Sequence, residues 1–175
     1  MSVAGPKLTR LVVLDVDGVL TDGGLYYGPE GEAYQRFNAY DGYGIRCLLD
    51  AGIEVAILSG RRSAAVTQRA QALGIKRVVQ GAGDKAAAFR EIVKHFKLEP
   101  NEVAFVGDDV FDLPVMRLAG WSAAPLTARA EVRAAADYVA GAAGGHGAVR
   151  EVAEEILRAR GAWPPAVTPS ADTGL

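Results

Sequence analysis

At 175 residues, with 50% hydrophobic and 23% charged residues, the chain has the balance of one globular domain and not that of a disordered polymer. The net charge of -2 excludes a large electrostatic footprint for nucleic acid. Cys47 is the only cysteine, which excludes an internal disulfide and a thiolate metal cluster and suits a reducing compartment.

In chain order, the first predicted element is a strand over residues 11–16, β-branched and nearly continuously apolar, as expected of a strand covered on both faces. The pattern then breaks. Two strand-like runs, residues 25–27 and 32–37, flank the turn Gly28-Pro29-Glu30-Gly31, so a β-hairpin flap is expected over about 22–38, inserted after the first strand. Further strands are predicted at 54–58, 78–80, 103–106 and 121–124. Helices are predicted at 43–51, 64–73, 85–96, 113–118 and 148–160. Strands alternating with helices define an α/β fold with a central parallel sheet and helices on both faces. Ligands of such sheets bind at the carboxyl ends of the strands.

The helix ends carry punctuation. Ser63, Asp84 and Asp112 are expected N-caps, Asp41 the cap of its own helix, and Gly52, Gly74 and Gly120 left-handed closing residues. From Gly161 onward (161–175) periodicity is lost and proline accumulates, the pattern of a tail without fixed structure. The opening MSVAGPKLTR has no apolar leader, and no stretch approaches the ~20 apolar residues of a membrane span. The expectation is a cytoplasmic protein with no membrane and no nucleic-acid partner.

Asp15 and Asp17 stand at the end of the first strand. Residues two apart on an extended chain point to the same side, so both carboxylates can face one site. Gly18 then lets the backbone turn sharply beside a ligand. A second acidic cluster, GDDVFD, follows another buried strand and offers Asp108, Asp109 and Asp112. Two carboxylate clusters at one sheet edge repel unless a cation joins them. Oxygen donors without histidine or cysteine select a hard, octahedral ion, magnesium first. Helix capping accounts well for Asp112 alone and poorly for all three acids.

Ser59 ends the strand VAILS and precedes Gly60, so its hydroxyl and nearby N–H groups suit a phosphate oxygen. Lys85 opens a helix after a glycine turn, where its ammonium can reach inward. Asp15 with Asp17, Ser59, Lys85 and Asp108 thus lie at, or just beyond, successive strand ends. The intervals are about one crossover unit each, and the hairpin accounts for the longer first one. The order carries more weight than any member.

These segments resemble the four motifs of the haloacid dehalogenase superfamily of phosphatases. DVDGVLTD matches DxDGxxxD, LSGRR supplies the Ser/Thr after the second core strand, GDK supplies the lysine, and GDDVFD matches GDDxxD. Longer segments, FNAYDGYGIRCL, GDDVFDLPVM, ADYV and GGHGAVREV, are similar to those of the small capless 3-deoxy-D-manno-octulosonate 8-phosphate (KDO 8-phosphate) phosphatases. The resemblance runs over about residues 11–160.

It implies a Rossmann-like three-layer sandwich without a cap domain, spanning residues 7–160. It implies Asp15 as nucleophile, forming an aspartyl-phosphate, and Asp17 as general acid and then general base. Mg2+ would be held by Asp15, the Asp17 backbone carbonyl and Asp108, with Asp109 and Asp112 in an outer shell. Ser59, Gly60 and Lys85 would hold the phosphoryl oxygens, and Arg61 a substrate anion, although Arg61 as a solvated helix-start charge fits equally well. The substrate would be a sugar-acid phosphate, KDO 8-phosphate, in lipopolysaccharide precursor biosynthesis. The resemblance also implies a homotetramer built on the hairpin, in which residues 144–150, ending at Arg150, approach a neighbouring site; for His146 alone the preferred reading is a glycine loop before a helix N-terminus.

Two rival readings stay open. A nonulosonate 9-phosphate phosphatase would carry the same four motifs. A phospho-accepting receiver module has similar architecture, but it places its phosphorylated aspartate on a middle strand, where this chain has Ser59.

Overall fold

The structure is a computed structural model that describes residues 5–165. Six parallel strands form the sheet: β1 (Leu11–Leu14), β4 (Glu54–Ser59), β5 (Arg77–Gln80), β6 (Val103–Val106), β7 (Trp121–Ala124) and β8 (Tyr138–Val139). β2 (Tyr26–Gly28) and β3 (Gly31–Tyr34) pair antiparallel apart from the sheet. The spatial order is β5-β4-β1-β6-β7-β8. From β1 the chain works outward to one edge through β4 and β5, then returns to the other side of β1 through β6. The order therefore reverses between β1 and β6, the crevice where an open α/β sheet binds its ligands.

Alternation along β1 builds the two cores. Val12 and Leu14 face one apolar cluster with Val55, Ile57, Ala104 and Val106. That side is covered by α1 (Ala39–Asp50), α2 (Ala64–Leu73) and α6 (Ala148–Ala159), which supply Ile45, Leu48, Val66, Val152 and Ile156. Leu11 and Val13 face the other cluster with Leu58 and Phe105, under α3 (Lys85–Phe96), α4 (Leu113–Met116) and α5 (Ala130–Ala135). All four β1 residues are fully buried, which explains why the strand reads as an apolar run without alternation.

Several sequence expectations change. α1 begins at Ala39, four residues before the predicted 43, because Asn38 Oδ1 accepts from the Tyr40 N–H at 2.7 Å and starts the helix. Asp41 does not cap its own helix. It is buried, and its carboxylate accepts from the Gly147 and Arg150 N–H groups at 3.2 and 3.0 Å, so it caps α6 across the helix pair. Burial pushes its carboxyl up, and those donors oppose the rise.

Gly52 and Gly74 are left-handed, as expected, but Gly120 is not. A Cβ at Gly120 would lie 2.4 Å from Asn101 Cα, so close backbone approach demands that glycine. Ser63 precedes α2 without a side-chain cap bond, whereas Asp84 Oδ1 caps α3 by accepting from the Ala87 N–H at 2.9 Å. The two-residue β8 and the six-residue α5 are too short to show a period in the sequence.

The tail expected from Gly161 opens with an anchored residue. Trp163 packs against the first core cluster, and the Arg150 guanidinium lies 4.8 Å from its ring centre and 4.7 Å from that of Tyr43. Residues 166–175 lie outside the described residues.

Candidate active site at the carboxyl edge of the sheet

A cleft of about 590 Å³ opens above β1, β4 and β6. Asp15, Asp17, Ser59, Gly60, Arg61, Lys85, Asp108 and Asp109 all line it. Asp15 continues β1, its N–H donating to the Val106 carbonyl at 3.0 Å, so the sheet ladder itself fixes its Cα. Gly18 turns the chain with φ +81°, and a Cβ there would lie 2.0 Å from Asp108 Oδ2. Only glycine lets the first acidic loop rest against the second.

Lys85, at the first turn of α3, reaches inward. Its Nζ lies 2.9 Å from Asp15 Oδ2 and 2.7 Å from Asp112 Oδ1. Burial acts to lower the lysine pKa, but the two carboxylates outweigh it and hold the ammonium above its ordinary value.

Asp112 is fully buried and stands at the N-cap position of α4, but its side chain makes no cap bond to that helix: its Oδ2 accepts from the Asp108 and Asp109 N–H groups at 2.9 and 3.3 Å. It tucks beneath Gly107, where a Cβ would lie 2.6 Å from the carboxylate. Asp109 is the N-cap of the short 3-10 turn that precedes α4, accepting from the Val110 N–H at 2.7 Å, and Asp112 closes the capping box by accepting from the Asp109 N–H.

Asp15, Asp108 and Asp112 bring carboxylate oxygens within 4.8 Å of one another. With one ammonium among them, negative charge is in excess. Burial, then Asp112, pushes the Asp15 carboxyl up to about 7, against the pull of Lys85. Burial, then Asp15 and Asp112, likewise raises Asp108 to about 7. A hard divalent cation would relieve this repulsion, and an all-oxygen donor set fits magnesium. Both Asp112 oxygens are already engaged by Lys85 and backbone donors, which leaves Asp15 and Asp108 as the carboxylates placed to bind it.

Ser59 is buried, with its Oγ accepting from the Arg61 N–H at 3.2 Å in a tight turn. Gly60 meets nothing closer than 3.8 Å at its Cβ position, so its place here is not forced by crowding. Arg61 is not merely a solvated helix-start charge: its Nε donates to Asp17 Oδ2 at 2.9 Å.

The sequence pattern missed Gln35, which donates from Nε2 to the other Asp17 oxygen, Oδ1, at 2.9 Å. It also missed Phe111 and Thr127 on the cleft wall. No one-dimensional signal separates Gln35 from other polar residues on a hairpin. Asp22, the last acid of DVDGVLTD, accepts from the Gly24 N–H at 2.9 Å and faces Arg36 at 3.7 Å, so it shapes the loop.

The 144–150 segment packs against its own chain. A Cβ on Gly144 would lie 1.7 Å from the Gly18 carbonyl oxygen, and Gly145 rests on Thr21 and Asp22. Arg36 and Asn38 donate to the Gly145 carbonyl at 3.0 and 3.3 Å, and Arg36 meets His146 Nε2 at 3.2 Å. Arg150 stacks on Tyr43 and Trp163, and its Nε donates to Glu154 at 2.6 Å.

Residues 43–120 match the model of the haloacid dehalogenase-like hydrolases. The 3-deoxy-D-manno-octulosonate 8-phosphate phosphatase KdsC of Escherichia coli (strain K12) is 46% identical over 159 residues, 91% of this chain and 85% of that protein. The crystal structure of the 3-deoxy-D-manno-octulosonate 8-phosphate phosphatase from Moraxella catarrhalis, in complex with magnesium, phosphate and KDO, superposes with a TM-score of 0.88 at 40% identity, covering 90% of this chain and 91% of that one. The corresponding enzyme from Yersinia pestis gives a TM-score of 0.87 at 44% identity, covering 89% and 84%.

Proposed function

This chain belongs to the haloacid dehalogenase-like hydrolases, among the KDO 8-phosphate phosphatases, and from that premise we propose how its own residues carry the reaction. The enzyme is a magnesium-dependent phosphatase that releases KDO and inorganic phosphate from KDO 8-phosphate. Its place is in lipopolysaccharide precursor biosynthesis.

Asp15 is the nucleophile. One of its oxygens bonds to phosphorus, the bond from phosphorus to the sugar oxygen breaks, and that oxygen takes a proton from Asp17. In the second half Asp17 takes a proton from water, the water oxygen bonds to phosphorus, and the Asp15–phosphorus bond breaks. Lys85, 2.9 Å from Asp15, holds the carboxylate and offers positive charge to the phosphoryl oxygens. Ser59, Gly60 and the turn after β4 bind the remaining phosphate oxygens. Arg61, 2.9 Å from Asp17, contacts the substrate anion as it enters.

Asp15, Asp108 and the Asp17 backbone carbonyl hold the magnesium. The ion offsets charge between carboxylate and phosphate and acts as a Lewis acid at the phosphoryl group. Asp112 orients this set from behind by accepting from the Asp108 N–H, and Asp109, on the cleft wall, belongs to its outer shell.

The exposed aromatics of the hairpin, Tyr26, Tyr27 and Tyr34, support its use as a subunit contact in a homotetramer. Among the described residues no helix is long and apolar enough to cross a membrane. We place the enzyme in the cytoplasm.

The observation that carries this reading is the meeting of Asp15, Lys85 and Asp108 at one strand edge in a chain so similar to KdsC. Its test is phosphate release from KDO 8-phosphate and from a nonulosonate 9-phosphate, each with and without magnesium. Magnesium-dependent preference for KDO 8-phosphate is expected; a clear preference for the nonulosonate would reassign the substrate.

A further inference from the structure

Asp17 is held at both oxygens by donors from different parts of the chain. Arg61 Nε donates to Oδ2 and Gln35 Nε2 to Oδ1, each at 2.9 Å. A carboxyl group rotates through a broad torsional well, so a single donor leaves its plane free to swing. Donors on both oxygens fix that plane. Proton transfer needs the carboxyl within about 2.6–3.2 Å of the oxygen it serves, so the fixed plane matters for rate.

Gln35 follows β3 directly, which makes it the residue by which the hairpin reaches the catalytic loop. Its position is itself tied down. The adjoining Arg36 donates to the Gly145 carbonyl at 3.0 Å, and Gly145 rests on Thr21 and Asp22. The Gln35 Oε1 is buried with no hydrogen-bond partner among the described residues. A buried unpaired acceptor is a cost to folding, so local stability does not explain this side chain well. Among the described residues its amide donates to Asp17.

We propose that Gln35 is a positioning residue that orients Asp17 for proton delivery to the leaving sugar oxygen, coupling the hairpin to the chemistry. This rests on Asp17 being the general acid. The step it serves is the one written above: as the bond from phosphorus to the sugar oxygen breaks, its electron pair stays on that oxygen, which receives the Asp17 proton.

The test compares two leaving groups. A sugar alkoxide needs the proton, whereas 4-nitrophenolate departs without it. Gln35→Met keeps length and removes the donor, and Gln35→Ala serves as a second variant should the first fail to fold. With KDO 8-phosphate the variant should lose about tenfold in kcat, with KM changed less than about twofold. The pre-steady-state burst of nitrophenolate should fall less than about threefold. In an Asp17→Asn background, Gln35→Met should cause no further loss, because the two residues act as one unit.

Equal losses on both substrates, no loss on either, or losses that add to those of Asp17→Asn would overturn the proposal. Asp17→Asn measured alone separates the premise. If that variant shows no dependence on the leaving group, the acid assignment fails, and the proposal with it.

Discussion

Lys85 and Asp112 form a buried ion pair, Nζ to Oδ1 at 2.7 Å, behind the carboxylate that Lys85 also grips at Asp15. Asp112 simultaneously holds two backbone N–H groups of the second acidic loop. Replacing it with alanine strands the ammonium's second contact and two donors. Asp112→Ala is expected to cost on the order of 3–5 kcal/mol, the range for breaking one side of a buried pair. Asp112→Asn, which keeps an acceptor, should cost less. Urea denaturation measures both, and an unchanged midpoint for Asp112→Ala would show that Lys85 finds other partners.

Asp15→Asn is expected to abolish turnover and the phosphoenzyme, because a neutral amide is a poor nucleophile. Assembly should be unaffected. Acid-quenched labelling with radioactive phosphate checks the intermediate, and substantial turnover by the purified variant would refute the nucleophile assignment.

The acidic cluster also sets a pH dependence. Asp15 and Asp108 have carboxyls raised to about 7 in the folded, metal-free protein, against an ordinary value of 3.8. Groups raised in this way favour folding while protonated, so their contribution is full below about pH 4 and is lost as pH rises through about 7. Magnesium requires both carboxylates ionised. Its stabilising effect should therefore be larger at pH 8 than at pH 5, as read by thermal denaturation with and without the ion. An equal magnesium-induced rise at the two values would contradict the assignment of these ligands.

Removing Asp15 gives a matching expectation. In metal-free protein at pH 8, Asp15→Asn should raise the melting temperature, since one charge of a crowded set is gone. At pH 4 the gain should vanish, because the wild-type carboxyl is then protonated. A melting temperature lowered at pH 8 would mean that attraction to Lys85 outweighs the repulsion.

Two glycines should behave differently. A Cβ at Gly144 would lie 1.7 Å from the Gly18 carbonyl oxygen, against backbone that cannot yield without moving the catalytic loop. Gly144→Ala is expected to lower kcat at least about tenfold, the scale of a misplaced catalytic group. Gly60→Ala meets only ordinary contacts at 3.8 Å and beyond, and should cost less. Steady-state rates on KDO 8-phosphate compare them.

Much of the site was legible because each member sits beside a recognisable strand end. Asp15, Ser59 and Asp108 follow apolar runs, and Lys85 follows a glycine turn. Asp112 was legible as a helix-start acid of the outer shell, but its complete burial and its pairing with Lys85 were not. Local rules make Asp41 a cap of its own helix, whereas its partners, Gly147 and Arg150, lie far along the chain. Gln35 had no signal at all.

By itself, the sequence determined the alternation of strands and helices and the order in which DVDGVLTD, LSGRR, GDK and GDDVFD reach one sheet edge. These follow from local rules: apolar periodicity, glycine turns and strand-end chemistry act over a few residues. Tertiary structure alone decided which donors hold each carboxylate. Lys85 meeting Asp112, Gln35 and Arg61 sharing Asp17, and Gly144 pressing on Gly18 are contacts between distant segments. Their formation depends on how the helices and hairpin pack on the sheet, and the charge balance of the site depends on the resulting burial.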